Sequence, residues 1–325
     1  MSKSFMLIDG NSLGHAAANA PKLSVDGNNV HAIFHTLKMI RTAMKEHGQE
    51  YKTPIVLWDG SEYWRKEILP EYKEKSANTP KAIKSNEEAM LISADYKLQR
   101  PHLIRAIRML GITQVIGKRY EADDIAGYMS RLYSSQGHKV LLVTGDKDWL
   151  QLINRYVKWY DPIRKRSCDR STFIEFTNFR TPEDFLNGKA LIGDTGDNIK
   201  GIDGIGEKSA PQIIEEFGSI ENLFKEYDEK GEFDKKVNLL PQSLGRYKKK
   251  INTFCGSEEL REKYYLNIKL MDLINVQLNS SDLKIVSSEP KLKAFKEFCE
   301  DLSFKSIVLQ MHEWQRLFAI RKGTS

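Results

Sequence analysis

The N-terminal half of the chain alternates short apolar runs with stretches of helical periodicity. Apolar residues, most of them branched, fill positions 5–8, 55–58 and 140–143, a composition typical of strands buried on both faces. Between the first two runs, apolar residues recur at helical spacing across 30–44. This alternation predicts an α/β fold, with a central, mostly parallel twisted sheet flanked by helices.

Residues 60–100 interrupt this pattern with a polar and basic stretch, which predicts an inserted, partly helical arm. Aromatic residues such as Tyr72 can stack on nucleic-acid bases while Arg65 and Lys73 meet phosphates, a combination typical of single-strand binding. A solvated basic face is the plainer alternative, and for an isolated lysine run it is the commoner one.

A second region begins near residue 181, where Thr181 as N-cap, Pro182 at the first helical position and Asp184 at the third predict a helix start. Weakly periodic, helix-forming sequence follows. We therefore predict a first domain over 1–180, which includes the arm, and a helical region over 181–325.

A glycine-rich loop follows that first helix of the second region. Gly201, Gly204 and Gly206 punctuate it, and Lys208 comes directly after. Loops of this kind that open a helix present backbone N–H groups to phosphate. A simple turn is the alternative. The position of the loop beside acidic residues favours phosphate binding.

Acidic residues gather in separated places that follow apolar runs or flank predicted helices. The carboxyl ends of parallel strands meet at one edge of a sheet, where open α/β folds bind ligands. Oxygen ligands without His or Cys suit Mg²⁺ or Mn²⁺, and without cations so many carboxylates would repel one another. Helix-dipole complementation could explain any single group, but it explains all of them together poorly. The nine acids are Asp9, Asp59, Glu121, Asp123, Asp124, Asp146, Asp148, Asp194 and Asp197.

Composition supports a polyanionic partner only weakly. Fifty basic residues face 44 acidic ones, and the remaining surface is more basic if nine acids hold metal. Three widely spaced cysteines indicate buried thiols and neither a disulfide framework nor a zinc site. With no long apolar segment and no signal-peptide pattern, we expect a protein of the cytoplasm without membrane contact.

The order and spacing of these motifs resemble the flap endonuclease or 5′-nuclease family, and most closely its bacteriophage 5′-exonucleases and the 5′-nuclease domain of bacterial DNA polymerase I. The likeness spans about residues 5–225, with a weaker match at 302–306. Trp58 before Asp59 departs from the usual family pattern, although the acid is present. The matching motifs are residues 5–10, 120–124, 144–148, 193–198 and 204–208.

The resemblance implies roles for individual residues. Lys73, at the foot of a helical arch, would contact the scissile phosphate, and Arg65 would be a basic residue just before it. Residues 198–218 would form a helix-hairpin-helix element that grips duplex DNA and can hold K⁺. The first metal would be surrounded by Asp9, Asp59, Glu121, Asp123 and Asp124, and the second by Asp146, Asp148, Asp194 and Asp197.

The function implied is a Mg²⁺-dependent, structure-specific 5′ nuclease, with Mn²⁺ as a substitute, that removes primers or flaps in replication and repair. We expect a monomer that acts on branched or 5′-ended duplex DNA, or on RNA/DNA hybrids, in a bacterium or a bacteriophage-infected cell. One alternative is a related metal-dependent ribonuclease, which usually lacks the second carboxylate set and the hairpin. Another is a junction-binding protein without catalysis.

Overall fold

The structure is a computed structural model that describes residues 2–74, 80–234 and 238–319, with side chains from residue 87 onward in the helix that begins at Pro80. The chain divides into two compact units. Unit 1 comprises Met1–Trp64, Ala77–Ser167 and Val276–Ser325, and unit 2 comprises Arg65–Ser76 and Cys168–Asn275.

Strands and helices alternate along most of the chain. The strands are β1 Ser4–Asp9, β2 Ser24–Val25, β3 Asn28–Asn29, β4 Thr53–Trp58, β5 Thr113–Gly117, β6 Lys139–Val143, β7 Val157–Asp161, β8 Arg166–Cys168, β9 Gly193–Asp194, β10 Ile199–Lys200 and β11 Leu283–Val286. The helices are α1 Gly10–Ala18, α2 His31–His47, α3 Arg65–Ile68, α4 Pro80–Met109, α5 Ala122–Ser135, α6 Phe173–Thr177, α7 Pro182–Ile192, α8 Ala210–Phe217, α9 Ile220–Lys230, α10 Lys248–Gly256, α11 Glu258–Met271, α12 Leu292–Asp301, α13 Lys305–Leu309 and α14 Met311–Phe318. Short 3₁₀ turns cover Asp148–Leu152, Gly245–Tyr247 and Ser280–Asp282.

The central sheet has seven strands in the order β11-β5-β4-β1-β6-β7-β8. The pairs β1 with β4, β1 with β6, β4 with β5, and β6 with β7 are parallel, whereas β11 pairs antiparallel with β5. Leu7 and Ile8 are successive residues of β1, and both are fully buried, as expected for a strand covered on both faces. The predicted mostly parallel sheet flanked by helices is confirmed.

The core of unit 1 also includes the C-terminal helices. Phe295 and Trp314 are fully buried in the same apolar cluster as Leu37 and Ile40 of α2. The predicted second region, 181–325, therefore contains a C-terminal segment that packs in unit 1, because its aromatic residues complete that core. Within the described ranges, no helix has the length and apolarity needed to cross a membrane.

The predicted arm over 60–100 corresponds mainly to one long helix. Helix α4 begins at Pro80 and ends only at Met109, so it extends past the predicted limit of the arm. Pro101 lies inside α4 without ending it, although proline removes one helical hydrogen bond. Residues 75–79, also in the predicted arm, lie outside the described part of the chain.

Unit 2 is mainly helical, and its helix α7 begins where the sequence predicts. Thr181 caps α7 by accepting a hydrogen bond from the Asp184 backbone N–H, and the Asp184 side chain accepts one from the Thr181 N–H, each at 3.1 Å. Helix α8 begins at Ala210. Pro211 then falls in its first turn, where no N–H is needed, which explains its presence.

Candidate active site carboxylates

Asp9 ends strand β1 at the carboxyl edge of the sheet and also caps α1. Its Oδ1 accepts a hydrogen bond from the Ser12 backbone N–H at 2.8 Å, and its Oδ2 accepts one from the Thr144 hydroxyl at 2.9 Å. The residue is only 3% exposed. Because Ile8 pairs with Val143 of β6, Thr144 comes directly opposite this carboxylate.

The environment of Asp9 disfavours its charged form. Burial is the largest cause and, with a further contribution from the negative charge of Asp59, raises the pKa of Asp9 from 3.8 to about 7, against the opposing hydrogen bonds from Ser12 and Thr144. No basic side chain of the described residues lies within 4.0 Å of this carboxylate. A cation from outside would remove this penalty.

Thr144 joins two of the predicted acidic groups, a role that the sequence analysis missed. Its buried hydroxyl donates to Asp9 and accepts a hydrogen bond from the Asp146 backbone N–H at 3.0 Å. Asp146 in turn accepts one from the Asp148 N–H at 2.7 Å. A hydroxyl residue at the end of a strand, directly before Gly-Asp, was the available signal.

Asp59 and the start of α5 form the next part of the site. The Ala122 backbone N–H donates to Asp59 Oδ1 at 2.8 Å, and the Glu121 N–H donates to Asp124 Oδ2 at 2.9 Å. Glu121 and Asp124 are buried and form a capping box. Helix capping therefore accounts for part of the arrangement of these two acids.

Indole N–H groups donate hydrogen bonds to three of the acidic residues. The sequence suggested base stacking for Trp64 and gave no role to Trp149 or Trp159. Trp64 donates from Nε1 to Asp124 Oδ2 at 3.1 Å, and Trp149 donates to Asp123 Oδ1 at 2.7 Å. Trp159 donates to the Asp146 backbone carbonyl at 2.9 Å. Hydrogen bonds like those from Trp64 and Trp149 can orient carboxylates that bind metal, whereas the bond from Trp159 fixes the backbone of Asp146.

The donor chemistry of this edge fits a hard divalent cation. Its predicted ligands are carboxylates alone, the preferred ligands of Mg²⁺ and Mn²⁺. Across residues 2–74, 80–234 and 238–319, no three His, Cys, Asp or Glu side chains converge into a preformed metal cage in their present orientations. The raised pKa of Asp9 is the observation that favours a cation here.

Asp194, at the end of β9 in unit 2, has the opposite electrostatic environment. Its Oδ2 accepts a hydrogen bond from Lys189 Nζ at 2.7 Å, and its Oδ1 accepts bonds from the N–H groups of Gly196 and Asp197. Burial alone would raise its pKa, but the Lys189 ammonium and these hydrogen bonds together lower it.

Asp197 lies with Tyr72 and Lys73 in unit 2. The Tyr72 hydroxyl donates to Asp197 Oδ2 at 3.0 Å, Lys73 Nζ lies 3.9 Å from Oδ1, and the Lys73 N–H donates to the Asp197 carbonyl. Tyr72 is only 2% exposed. The predicted base stacking by Tyr72 is therefore not available in this conformation, because the ring is buried and its hydroxyl is bound to Asp197.

Arg65 is also placed differently from its predicted role beside a phosphate. The side chain is 3% exposed, its Nε donates to the Leu270 carbonyl at 2.7 Å, and its guanidinium lies 5.9 Å from the centre of the Tyr72 ring. In this arrangement Arg65 supports the packing of unit 2. A direct role in catalysis stays a prediction.

The glycine-rich loop forms the turn between α7 and α8. Ile202 and Ile205 are buried anchors, and the Ile202 N–H donates to the Leu191 carbonyl at 2.7 Å. Gly204 has φ +82°, a conformation that favours glycine. Of the other predicted phosphate-binding residues, Gly201 and Gly206 are half-buried, and Lys208 is exposed.

Two family models cover most of the chain. Residues 4–178 match the 5′-3′ exonuclease N-terminal resolvase-like domain, and residues 180–283 match the 5′-3′ exonuclease C-terminal SAM fold. The chain therefore belongs to the 5′-3′ exonuclease family.

Curated relatives carry names that agree with this assignment, and solved structures share the fold. A 5′-3′ exonuclease of Aquifex aeolicus is 27% identical over 95% of both chains. The thermostable DNA polymerase I of Thermus filiformis is 28% identical over 96% of this chain, which spans 33% of the polymerase. The structure of T5 5′-exonuclease bound to zinc has a TM-score of 0.61 at 23% identity, covering 95% of this chain and 99% of that one. The catalytic core of Rad2 with DNA substrate has a TM-score of 0.59 at 14% identity, covering 99% and 93%.

Proposed function

We propose that this protein is a structure-specific 5′ nuclease with both 5′-3′ exonuclease and flap endonuclease activity. It hydrolyses phosphodiesters of DNA, or of RNA paired with DNA, near the junction between a 5′ single-stranded arm and duplex. The products carry 5′-phosphate and 3′-hydroxyl ends. Removal of primers or flaps in replication and repair is the corresponding cellular role.

The observation that carries the proposal is the hydrogen-bonded group of carboxylates at the edge of the sheet. Asp9 and Asp146 share Thr144, and Asp59 is bound to the start of α5. The raised pKa of Asp9 means that the group gains stability when a positive charge arrives.

Divalent ions held by Asp9, Asp59 and the acids of α5 would activate water and neutralise charge on the entering and leaving oxygens of a phosphodiester. Mg²⁺ is the proposed ion, with Mn²⁺ as a substitute, and more than one ion takes part. T5 5′-exonuclease has been solved with divalent zinc ions bound, which supports divalent-metal binding in this fold. The assignment of Asp194 and Asp197 to the second ion stays a prediction from the sequence.

The protein's own groups fix the positions of these ligands. The N–H groups of Ser12 and Ala122 hold one oxygen each of Asp9 and Asp59, and the Thr144 hydroxyl holds the other oxygen of Asp9. Pre-set orientation of this kind reduces the rearrangement needed when ligands bind. Lys73 is the proposed source of positive charge toward the scissile phosphate, and Asp197 accompanies it in this structure.

Nucleic-acid binding follows from the same family. Rad2 is described in complex with DNA substrate, and human GEN1 in complex with Holliday junction DNA. We propose branched or 5′-ended duplex DNA as the partner of this chain, with the hairpin of residues 201–208 as a helix-hairpin-helix contact to the backbone. Potassium at that hairpin is a further part of the proposal.

A cleavage assay tests the proposed function. A 5′-flapped duplex, labelled at the flap end, is incubated with the protein in Mg²⁺ or in EDTA, and the size and end groups of the products are measured. The test variant is Asp146→Asn with Asp148→Asn. The matched control, Glu226→Gln with Glu229→Gln, removes the same charge from α9.

We expect cutting near the junction by the parent and by the control in Mg²⁺, and none in EDTA or with the test variant. Cutting that persists in EDTA or in the test variant would reject the proposed metal chemistry. Binding of an intact substrate by the parent under all conditions would favour the junction-binding alternative.

A further inference from the structure

A group of basic residues lies at the start of α10 in unit 2, with one residue just before the helix. Arg246, Lys249 and Lys250 are exposed, and Lys248 between them is half-buried. These four residues, together with Lys208 of the glycine-rich hairpin, are called the hairpin-side basic surface. None of the motifs that define the family resemblance assigns a role to residues 246–250.

The position of Lys250 connects this segment to the hairpin. A Cβ atom placed on Gly204 would lie 2.6 Å from Cδ and Cε of Lys250, so the lysine stem packs directly on the glycine backbone. Gly204 therefore leaves room for a lysine from another helix. The start of α10 and the glycine-rich hairpin are therefore in direct contact within unit 2.

The charges of this surface are not neutralised within unit 2. Among the described residues, no carboxylate lies within 4.0 Å of Lys208, Arg246 or Lys248–Lys250, whereas neighbouring α9 pairs Lys225 with Glu229 and Lys230 with Glu226. Repulsion between close ammonium groups lowers stability. A set of like charges of this kind is best explained by an external polyanion.

The local helix geometry adds to that cost. Lys248–Lys250 occupy the first turn of α10, which contains no acidic residue. The N-terminal end of a helix carries partial positive charge, so cations there are unfavourable. In α11, by contrast, Glu258 and Glu259 occupy the first turn.

The surface lacks the features of a single-strand binder. Tyr247, the aromatic residue between Arg246 and Lys248, is half-buried. The Arg246 guanidinium covers its ring at 4.7 Å from the centre. Binding of single strands commonly uses open aromatic faces on which bases stack. Exposed ammonium groups without such faces suit a duplex, whose bases are stacked inside and whose phosphates are outside.

We propose that the hairpin-side basic surface binds the phosphate backbone of duplex DNA and extends the contact made by the hairpin. This inference rests on the proposed function and deepens it, because it adds residues of α10 to the duplex interface. The contact is independent of base sequence, since phosphates carry no sequence information.

Salt-dependent binding tests the proposal. Fluorescence anisotropy measures Kd for a labelled duplex in EDTA, where cleavage does not interfere, over a range of salt concentrations. The neutral variant is Lys249→Gln with Lys250→Met, in which Met keeps an apolar stem over Gly204. The charge-preserving variant is Lys249→Arg with Lys250→Arg. The matched control, Lys225→Gln with Lys230→Met, changes paired lysines on α9.

Each phosphate contact contributes a slope of about 0.9 in log K against log salt. We therefore expect the slope of the neutral variant to fall by about 2, and its affinity at about 0.1 M salt to fall roughly tenfold to a hundredfold. The arginine variant and the α9 control should stay within about twofold of the parent, by the same counterion argument.

Several results would overturn the proposal. These are an unchanged slope in the neutral variant, an arginine variant as weak as the neutral one, or a loss of binding to single-stranded oligonucleotide that exceeds the loss to duplex. A parent that does not bind duplex would also overturn it. Flap cleavage by the same parent preparation reports on the proposed function separately, so failure of one can be distinguished from failure of the other.

Discussion

Asp9 of unit 1 and Asp194 of unit 2 are both predicted metal ligands, yet their surroundings shift the two pKa values in opposite directions. Asp9 is buried, accepts hydrogen bonds from the Ser12 backbone N–H and the Thr144 hydroxyl, and has its pKa raised to about 7. Asp194 is bound to Lys189 at 2.7 Å, and its pKa is lowered. Among the described residues, no basic side chain pairs with Asp9, whereas Lys189 pairs with Asp194.

The two units therefore differ in how the charge of a carboxylate is compensated. In unit 1, burial of the charged Asp9 carboxylate is unfavourable in the metal-free protein. A bound cation would offset this cost, so metal binding should raise the free energy of unfolding. In unit 2, Lys189 supplies the positive charge, so Asp194 is stable as an anion without any ion. A metal that binds Asp194 must therefore compete with a lysine.

The largest expected effect concerns the stability of the metal-free protein. The pKa of the Asp9 carboxyl is about 7 in the folded protein. In the unfolded chain the pKa of an aspartate is about 3.9. Between these values the folded state binds more protons, so the free energy of unfolding should fall as pH rises from about 4 to about 7. The upper limit is roughly 4 kcal/mol, at about 1.4 kcal/mol per pH unit.

Urea unfolding in EDTA at several pH values measures this effect, with Asp9→Asn as the test variant. Asn also caps helices well and can still accept the Ser12 hydrogen bond, so the fold should survive. The variant should lose most of the decline between pH 4 and 7 and be more stable than the parent at pH 7. Equal pH profiles for the two proteins would show that Asp9 carries no such penalty.

The next effect concerns Thr144, which links Asp9 to Asp146. Thr144→Val keeps the shape of the side chain but removes the hydroxyl that donates to Asp9 and accepts from Asp146. We expect Mg²⁺ affinity and flap cleavage to fall roughly 10- to 100-fold, as is usual for groups that orient metal ligands. Thr144→Ser, which keeps the hydroxyl, is the control. A Val variant with parental Mg²⁺ affinity would remove Thr144 from the site.

The smallest effect is predicted for Asp194. Because its folded pKa is lowered, it contributes stability above the unfolded pKa of about 3.9, and that stability is lost as pH falls below this value. Asp194→Asn should therefore destabilise the metal-free protein by about 1 to 2 kcal/mol at pH 7, since Lys189 loses its charged partner. Unfolding at pH 7 and pH 3 measures the difference.

Glu226→Gln is the matched control, because it breaks the exposed pair with Lys230 and should cost less than about 0.5 kcal/mol. A stabilised Asp194→Asn variant, resembling Asp9→Asn, would contradict the contrast between the two residues.

The apolar pattern along the chain was sufficient to predict the parallel sheet and the position of Asp9 at its edge. Strand runs near 5–8, 55–58 and 140–143 became the neighbouring parallel strands β1, β4 and β6, since buried parallel strands have a recognisable composition. The predicted boundary near 180 could not show that residues 276–319 pack in unit 1. That packing depends on long-range contacts of Phe295 and Trp314, which leave no local pattern.

The sequence suggested the nine acids as candidate metal ligands, but it could not show the charges and hydrogen bonds that surround them. Sequence spacing does not show that Lys189 reaches Asp194, or that three indoles hold Asp123, Asp124 and Asp146. The burial of Arg65 and Tyr72 was also missed, because a basic and aromatic segment has the same composition whether it faces solvent or packs inside.

Proton release on metal binding tests most directly whether the edge of the sheet in unit 1 is completed by a divalent cation. Mg²⁺ is titrated calorimetrically into metal-free protein at about pH 6.5 in two buffers of different ionisation enthalpy. The parent should release a large fraction of one proton as Asp9 ionises, and Asp9→Asn should release much less, since metal ligands bind deprotonated. Heats that are independent of the buffer in the parent, or equal proton release by both proteins, would contradict this account.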